Sequence, residues 1–344
     1  MALRVLVVGG GIMGASAAWH LTHLGAKVTV LEQKPEPARG ATRWSYGWVG
    51  TSSAFPSDSA IPFASTLDAI SEFYRLERGL GSLPVVARGA IVWLDTEEQT
   101  LKLIQEQRSA GVDMTSLCPR QVGELEPRLA HPPSIAAWAP NDFAVEPVAL
   151  TTQLLAAARE AGAETAYYQN IEAIETRNGR TIGVRCNGLS QAADVVLLAN
   201  GAAAIPLAAQ VGIDLPLITR PAVLMRFTAK AGLARHLLYG EGLELRPGEN
   251  GRLVCAEDCP DTGEAGLANL ADQTARIIKR MFATSSKPTL CSANIGHRPM
   301  TRNGLPLQTF LAGIQGLYAL VAHPGVILAP RLGRMAAKDI WEGD

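Results

Sequence analysis

Between Leu3 and Glu32 the chain sets out an apolar run, a glycine-rich turn, a helical pattern and a second apolar run that ends in an acid. Leu3–Val8 reads as a buried parallel strand, and Gly9, Gly11 and Gly14 occupy the point where it turns into a helix. Each glycine has a mechanical task in a dinucleotide site. Gly9 makes the tight turn, Gly11 lets a pyrophosphate approach the backbone, and Gly14 lets helix and strand pack closely. The helix start then presents free N–H groups and its dipole to the phosphate. Ala18, Leu21, Gly25 and Val28 continue the pattern in phase to Glu32, eighteen residues after Gly14 and placed to accept ribose hydroxyls. The extended pattern points to a dinucleotide.

Length and composition exclude several classes. At 344 residues the chain has material for two domains or one large α/β body. With 47% hydrophobic and 18% charged residues it is a globular chain rather than a disordered one. Its formal net charge of −1, without a long basic run, offers no electrostatic case for nucleic acid or an anionic membrane. No apolar stretch reaches the length of a transmembrane helix. The first strand is needed in the fold and cannot double as a cleaved leader, so the expected location is the cytoplasm. Cys118, Cys186, Cys255, Cys259 and Cys291 lack a metal-ligand spacing and read as structural thiols. His20 and His23, three apart on the first helix, read as packing residues.

Beyond Glu32 the elements interleave. A glycine-punctuated loop, Gly40–Gly50, carries Trp44, Tyr46 and Trp48. Phe63, Leu67, Ile70, Phe73 and Leu76 have helical spacing, so a helix is expected at about 62–79. A strand at 85–94, helices at 97–110 and 119–125, and a helix at 148–161 follow. Next come a strand ending near Ile171 and a hairpin, 173–176 with 181–186, turned by Asn178-Gly179. Asp194–Gly201 reads as a buried strand running into glycine. The stretches 222–228, 243–247 and 252–255 alternate as antiparallel strands do, before helices at about 265–283 and 327–341.

The chain resembles the D-amino-acid oxidase superfamily, in the branch of glycine oxidase, sarcosine oxidase and D-amino-acid dehydrogenase. Six stretches carry the resemblance in the family's order: the N-terminal fingerprint, Ala41-Thr42-Arg43 to Gly47, Val145-Glu146-Pro147, Ala193–Gly201, Gly296–Pro306, and Gly325–Pro330 with Gly333. The implied fold is α/β: a Rossmann-like FAD-binding domain from residues 1–85, 140–215 and 290–344. An interleaved substrate domain on a mixed, largely antiparallel sheet would take 86–139 and 216–289. The implied activity is oxidation of a C–N bond in a small amine or amino acid. A hydride passes from the α-carbon to flavin, and the imine is hydrolysed. A FAD-dependent 2-hydroxy-acid dehydrogenase, or a subunit of a hetero-oligomeric opine-type dehydrogenase, remain alternatives. The electron acceptor would be O2 or a respiratory or quinone acceptor, and the resemblance leaves a homo- or hetero-oligomer open for this chain.

The resemblance also assigns residues. Gly9, Gly11, Ile12, Met13 and Gly14, then Glu32 and Gln33, then Ala41, Thr42, Gly47 and Trp48 would line FAD. Ile171, Gly201, Gly325, Val326 and Ile327 complete that set. Arg298, in Gly-His-Arg-Pro, matches the arginine whose guanidinium fork holds a substrate carboxylate. Trp48 and His323 are expected at the reacting edge, Trp48 over the active site and His323 in a loop shorter than usual. Asn294 stands where relatives often have Trp, and Leu243-Glu244 where they often present Tyr. Glu244 is expected to face solvent; pointing inward, it would instead select a cationic substrate. Ser45-Tyr46-Gly47 offers no covalent flavin site, so FAD is expected to be held non-covalently.

Overall fold

The computed structural model describes residues 2–58 and 61–343. Its first sheet has six strands, in spatial order Leu307–Phe310, Leu317–Val321, Val195–Leu198, Arg4–Val8, Lys27–Leu31 and Glu164–Ala166. All neighbours run parallel except the antiparallel edge strand Leu307–Phe310. A parallel sheet must be covered on both faces, which is why its central strands are continuous apolar runs rather than alternating ones. Val5, Val7, Val28 and Val30 pack against helices Ile12–His23, Pro147–Glu160 and Gly325–Glu342. Leu6, Val8, Val196 and Leu198 face the other way, onto the antiparallel sheet Ile171–Arg177, Arg180–Cys186 and Leu189–Ala192.

The first and last helices pack at van der Waals contact. A Cβ at Gly333 would come within 2.2 Å of Ser16 Oγ, whose hydroxyl donates to the Ala329 carbonyl at 2.8 Å. This fixes the C-terminal helix, and with it the loop 322–324, against the fingerprint helix.

The second large sheet has nine strands and is mixed, largely antiparallel. Thr289–Thr301, Leu217–Thr228, Arg252–Asp258, Leu243–Pro247 and Leu237–Gly240 run antiparallel in sequence; Leu237–Gly240 then pairs parallel with Val85–Val92. Ala136–Val145 and Trp48–Val49 continue the sheet, and Thr115–Leu117 pairs with Ala136–Val145. Trp48–Val49 and all of Thr289–Thr301 after its first residue thus sit in this sheet, although they lie outside 86–139 and 216–289. The amphipathic helix Leu267–Met281 covers one face with Ala271, Ala275 and Ile278. The opposite face turns toward the fingerprint.

Arg246 clamps that arrangement. Its side chain is buried, its Nε donates to the Tyr46 carbonyl at 2.7 Å, and its Nη1 donates to Glu146 Oε1 at 3.0 Å. The ion pair ties the large sheet to the loop 45–47 and to the start of helix Pro147–Glu160. Val145-Glu146-Pro147 therefore has a physical task, which its sequence did not disclose. A strand expected to end near Ile171 instead begins there: the preceding strand, Glu164–Ala166, pairs with Lys27–Leu31, and Ile171 opens the hairpin. The C-terminal helix begins at Gly325, two residues before its expected start.

Candidate active site

A cavity of about 970 Å3 runs from the fingerprint turn to the inward face of the large sheet. The three fingerprint glycines divide their labour in ways the geometry makes measurable. Gly9 has φ +108°, and a Cβ there would lie 2.8 Å from Asn200 Cα, so the turn must pass close to the end of strand Val195–Leu198. A Cβ at Gly14 would lie 2.1 Å from the Gly9 carbonyl oxygen, and Gly14 does not line the cavity. Gly11 does. Its φ is an ordinary −80°, and a Cβ there would meet within 4 Å only Thr42 Oγ1, at 3.3 Å. Gly11 is thus the glycine whose missing side chain leaves space for a ligand rather than for protein.

Around it, Ile12 and Met13 begin the helix, and the Ile12 N–H donates to Thr42 Oγ1 at 3.2 Å. Glu32 lines the cavity, but its carboxylate also holds the turn together. Oε2 accepts from the Gly10 N–H at 2.7 Å and Oε1 from the Lys34 N–H at 2.8 Å. The expected ribose acceptor is thus pinned by two backbone donors, which orient it and leave its further lone pairs for a ligand. Gln33, Ala41, Thr42, Gly47 and Trp48 lie along the same wall, as do Ile171, Gly201, Gly325, Val326 and Ile327. Gly47 has φ +80° and a Cβ there would strike the Val145 carbonyl at 2.3 Å, so this glycine serves the loop.

Two buried polar atoms in the wall, Tyr46 Oη and Asn200 Oδ1, have no hydrogen-bond partner among the described residues. A buried polar atom left so costs about 1–3 kcal/mol. Together with the open Gly11 cradle, they fit a large ligand rich in polar ring and ribose atoms, as FAD is. The sequence missed both: Tyr46 was legible only as part of an aromatic loop, and Asn200 as the penultimate residue of a strand motif.

At the far end Arg298 lines the cavity from strand Thr289–Thr301. Its side chain is 36% exposed, and its nearest acid, Asp258, is 3.9 Å away and itself fully exposed. Its hydrogen bonds go to the carbonyls of Arg220 at 3.5 Å and Pro221 at 3.3 Å, both long. The guanidinium is therefore positioned without being consumed by a carboxylate. His323 lines the same region from the loop before the C-terminal helix. Burial, then the nearby charges of Arg298 and Arg220, hold its pKa down at about 4, so the ring is neutral at physiological pH.

Trp48 is buried, and its indole N–H donates to Asp142 Oδ2 at 2.8 Å. The same oxygen accepts from the Ser52 hydroxyl at 2.6 Å, while burial, opposed by these hydrogen bonds, raises the Asp142 pKa. Trp48 therefore forms cavity wall and anchors a buried carboxyl at once. Trp48→Phe should lower stability by about 1–2 kcal/mol through the lost donor. A thermal melt unchanged from the parent protein would contradict that bond's importance.

Glu244 departs from expectation. Its side chain is half-buried and lines the cavity instead of facing solvent. Burial pushes its pKa up to about 7; Arg298 opposes the shift and Asp258 adds to it. The alternation along Leu243–Pro247 puts Leu243 and Leu245 into the core under helix Leu267–Met281, which sends Glu244 and Arg246 to the opposite face, where Glu244 lines the cavity and Arg246 is buried in its contacts with Tyr46 and Glu146. His20 and His23, by contrast, pack at Trp19, and His23 Nδ1 lies 2.8 Å from the Trp19 carbonyl. Among the described residues no cluster of three or more His, Cys, Asp or Glu suits a metal, and no helix is long and apolar enough to cross a membrane.

The family model described as FAD dependent oxidoreductase (DAO) matches residues 4–338. Glycine oxidase of Geobacillus kaustophilus is 27% identical over 352 residues, covering 97% of this chain and 91% of that protein. The crystal structure of glycine oxidase from Bacillus cereus matches with a TM-score of 0.84 at 22% identity, over 99% of this chain and 95% of that one. L-proline dehydrogenase from P. horikoshii matches equally well in fold, with a TM-score of 0.84 at 20% identity over 98% and 93% of the two chains. The match to the family model spans nearly the whole sequence: the chain belongs to the DAO family of FAD-dependent oxidoreductases, and is an enzyme whose cofactor is FAD.

Proposed function

We propose that the protein oxidises the C–N bond of a small amino acid or amine, with Arg298 holding the substrate carboxylate. The observation that carries this reading is Arg298 itself, a guanidinium open to the cavity that also contains the Gly11 cradle, with no acid in hydrogen-bond contact. FAD, when bound, supplies the acceptor for a hydride from the substrate α-carbon, and the resulting imine reacts with water to give an oxo acid and ammonia or a smaller amine. The chain's task is to orient the C–H bond and exclude competing geometry. Arg298 fixes one end of the substrate through a two-point contact. His323, neutral beside it, adds no second positive charge to the carboxylate end. Trp48 and Tyr46, both buried, give the wall its rigidity.

The division into a FAD domain (1–85, 140–215, 290–344) and a substrate domain (86–139, 216–289) belongs to the same reading, with Trp48–Val49 and Thr289–Thr301 lent to the substrate-side sheet. FAD is proposed to be held non-covalently. In support, the cavity wall contains no cysteine among the described residues, and His323 is its one histidine. The electron acceptor is proposed to be O2 or a quinone.

The test is anaerobic titration of the yellow protein with amino acids of both hands, amines lacking a carboxylate, and 2-hydroxy acids, following the visible flavin absorbance. Bleaching by amino acids is expected. Bleaching only by hydroxy acids would replace this reading with that of a 2-hydroxy-acid dehydrogenase, and bleaching by none would overturn it.

A further inference from the structure

We infer that Glu244 reads a second positive charge on the substrate, so that the preferred substrate is an α-amino acid whose side chain ends in an ammonium or guanidinium group. This rests on the proposed role of Arg298 and extends it to the other end of the molecule.

The argument begins with register. Glu244 lies opposite Ala256, Ala256 opposite Leu224, and Leu224 opposite Asn294, which is four residues before Arg298 on its strand. Paired residues share a face and alternate residues along a strand share a face, so Glu244, Asn294 and Arg298 all project from the inward face. At roughly 4.8 Å per strand and 3.3 Å per residue, their backbones stand about 14 Å apart across the sheet and about 13 Å apart along it. Both side chains reach back into one cavity. An α-carboxylate on Arg298 would therefore leave Glu244 several bonds further along the substrate, where a side-chain terminus falls.

Glu244 also has nothing else to hold. Among the described residues no hydrogen-bond donor reaches its carboxyl, in contrast to buried Asp142, which accepts hydrogen bonds from the Trp48 indole N–H and the Ser52 hydroxyl. Burial raises its pKa, and the neighbouring Glu257 is raised likewise by burial and by Glu244 itself. A cation at this place would relieve both. The cavity thus carries an arginine at one end and an unpaired acid at the other, the complement of a substrate with a carboxylate at one end and a cation at the other.

The experiment compares ornithine, lysine and arginine with the neutral norvaline, norleucine and citrulline, in both hands, on the wild-type holoenzyme and on Glu244→Gln. The wild type should favour the cationic member of each pair. Glu244→Gln should lose about 30- to 100-fold in kcat/KM on the cationic compounds while leaving the neutral ones within about threefold. Glu244→Asp, which keeps the charge, should retain a measurable preference. Calorimetry with 2-methylornithine, which has no α-hydrogen to lose, supplies a readout independent of turnover. It should bind the wild type more tightly than its neutral analogue 2-methylnorvaline does, and lose that advantage in Glu244→Gln. Equal loss on neutral and cationic substrates would place Glu244 at the α-amine and overturn the inference, as would no change on either. If no amino acid bleaches the flavin, the proposed function fails, whereas oxidation of neutral amino acids without a Glu244-dependent preference sinks this inference alone.

Discussion

Gly11→Val should give a folded, colourless protein. Gly11 has a φ that valine adopts readily, and a Cβ at this position meets only the Thr42 hydroxyl, at 3.3 Å. The backbone can therefore keep its course, with a slight adjustment at Thr42, while two added methyls occupy the cavity beside the helix start. A pyrophosphate needs that space for its approach to the backbone N–H groups. The neighbouring glycines provide the control. At Gly14 a Cβ would lie 2.1 Å from the Gly9 carbonyl, and at Gly9 it would run into the backbone of Asn200 with φ at +108°. Valine at either place should damage the fold itself, visible as insoluble protein or a lost far-UV signal. Gly11→Val should keep its secondary structure and lose flavin to below a tenth of wild-type content, with a lower melting point because the stabilisation from bound cofactor is gone. From the wild type, acid precipitation should release intact FAD into the supernatant. Normal flavin content in Gly11→Val would refute the phosphate site, and flavin retained on the wild-type pellet would refute non-covalent binding.

The contrast among these glycines shows how far the sequence could be read. The fingerprint is local: strand, turn and helix follow one another within 32 residues, so spacing alone names the turn and its function. The hairpin at Asn178-Gly179 was legible for the same reason, and both residues have the positive φ that such a turn requires, +53° and +73°. Glu244 was not legible. Alternation reveals that Leu243 and Leu245 share one face and Glu244 the other, but a sheet face is wet or enclosed according to what packs over it. Here the loop near Tyr46 lies over it, and Arg298 shares the same enclosed face; these segments are about 200 and 50 residues away in sequence. Arg246 and Glu146 illustrate the same limit: each is an unremarkable charged residue until a contact across a hundred residues makes them a buried pair. What sequence conceals in this chain is mostly the identity of partners brought together by the interleaving of its two large sheets.

Arg298→Ala should leave flavin content and melting behaviour near those of the parent while reducing kcat/KM for amino acids by about 30- to 1000-fold. The structural part of this expectation follows from what Arg298 does not do. Its closest acid is 3.9 Å away, its hydrogen bonds to the Arg220 and Pro221 carbonyls are long, and its backbone pairing with Arg220 is independent of the side chain. The kinetic part follows from the cost of removing a two-point, charge-assisted contact from a partly enclosed site, about 2–4 kcal/mol, at roughly 1.4 kcal/mol per factor of ten. Arg298→Lys should recover only a fraction, since an ammonium is a point charge and lacks the paired donors of the fork. An amine without a carboxylate gains nothing from Arg298, so its turnover should change little and serves as the internal control. A uniform loss on amines and amino acids would mean that Arg298 shapes the cavity rather than binding a carboxylate. Loss of flavin or of the fold in Arg298→Ala would make it a structural residue, while full activity on amino acids would put the carboxylate on another group.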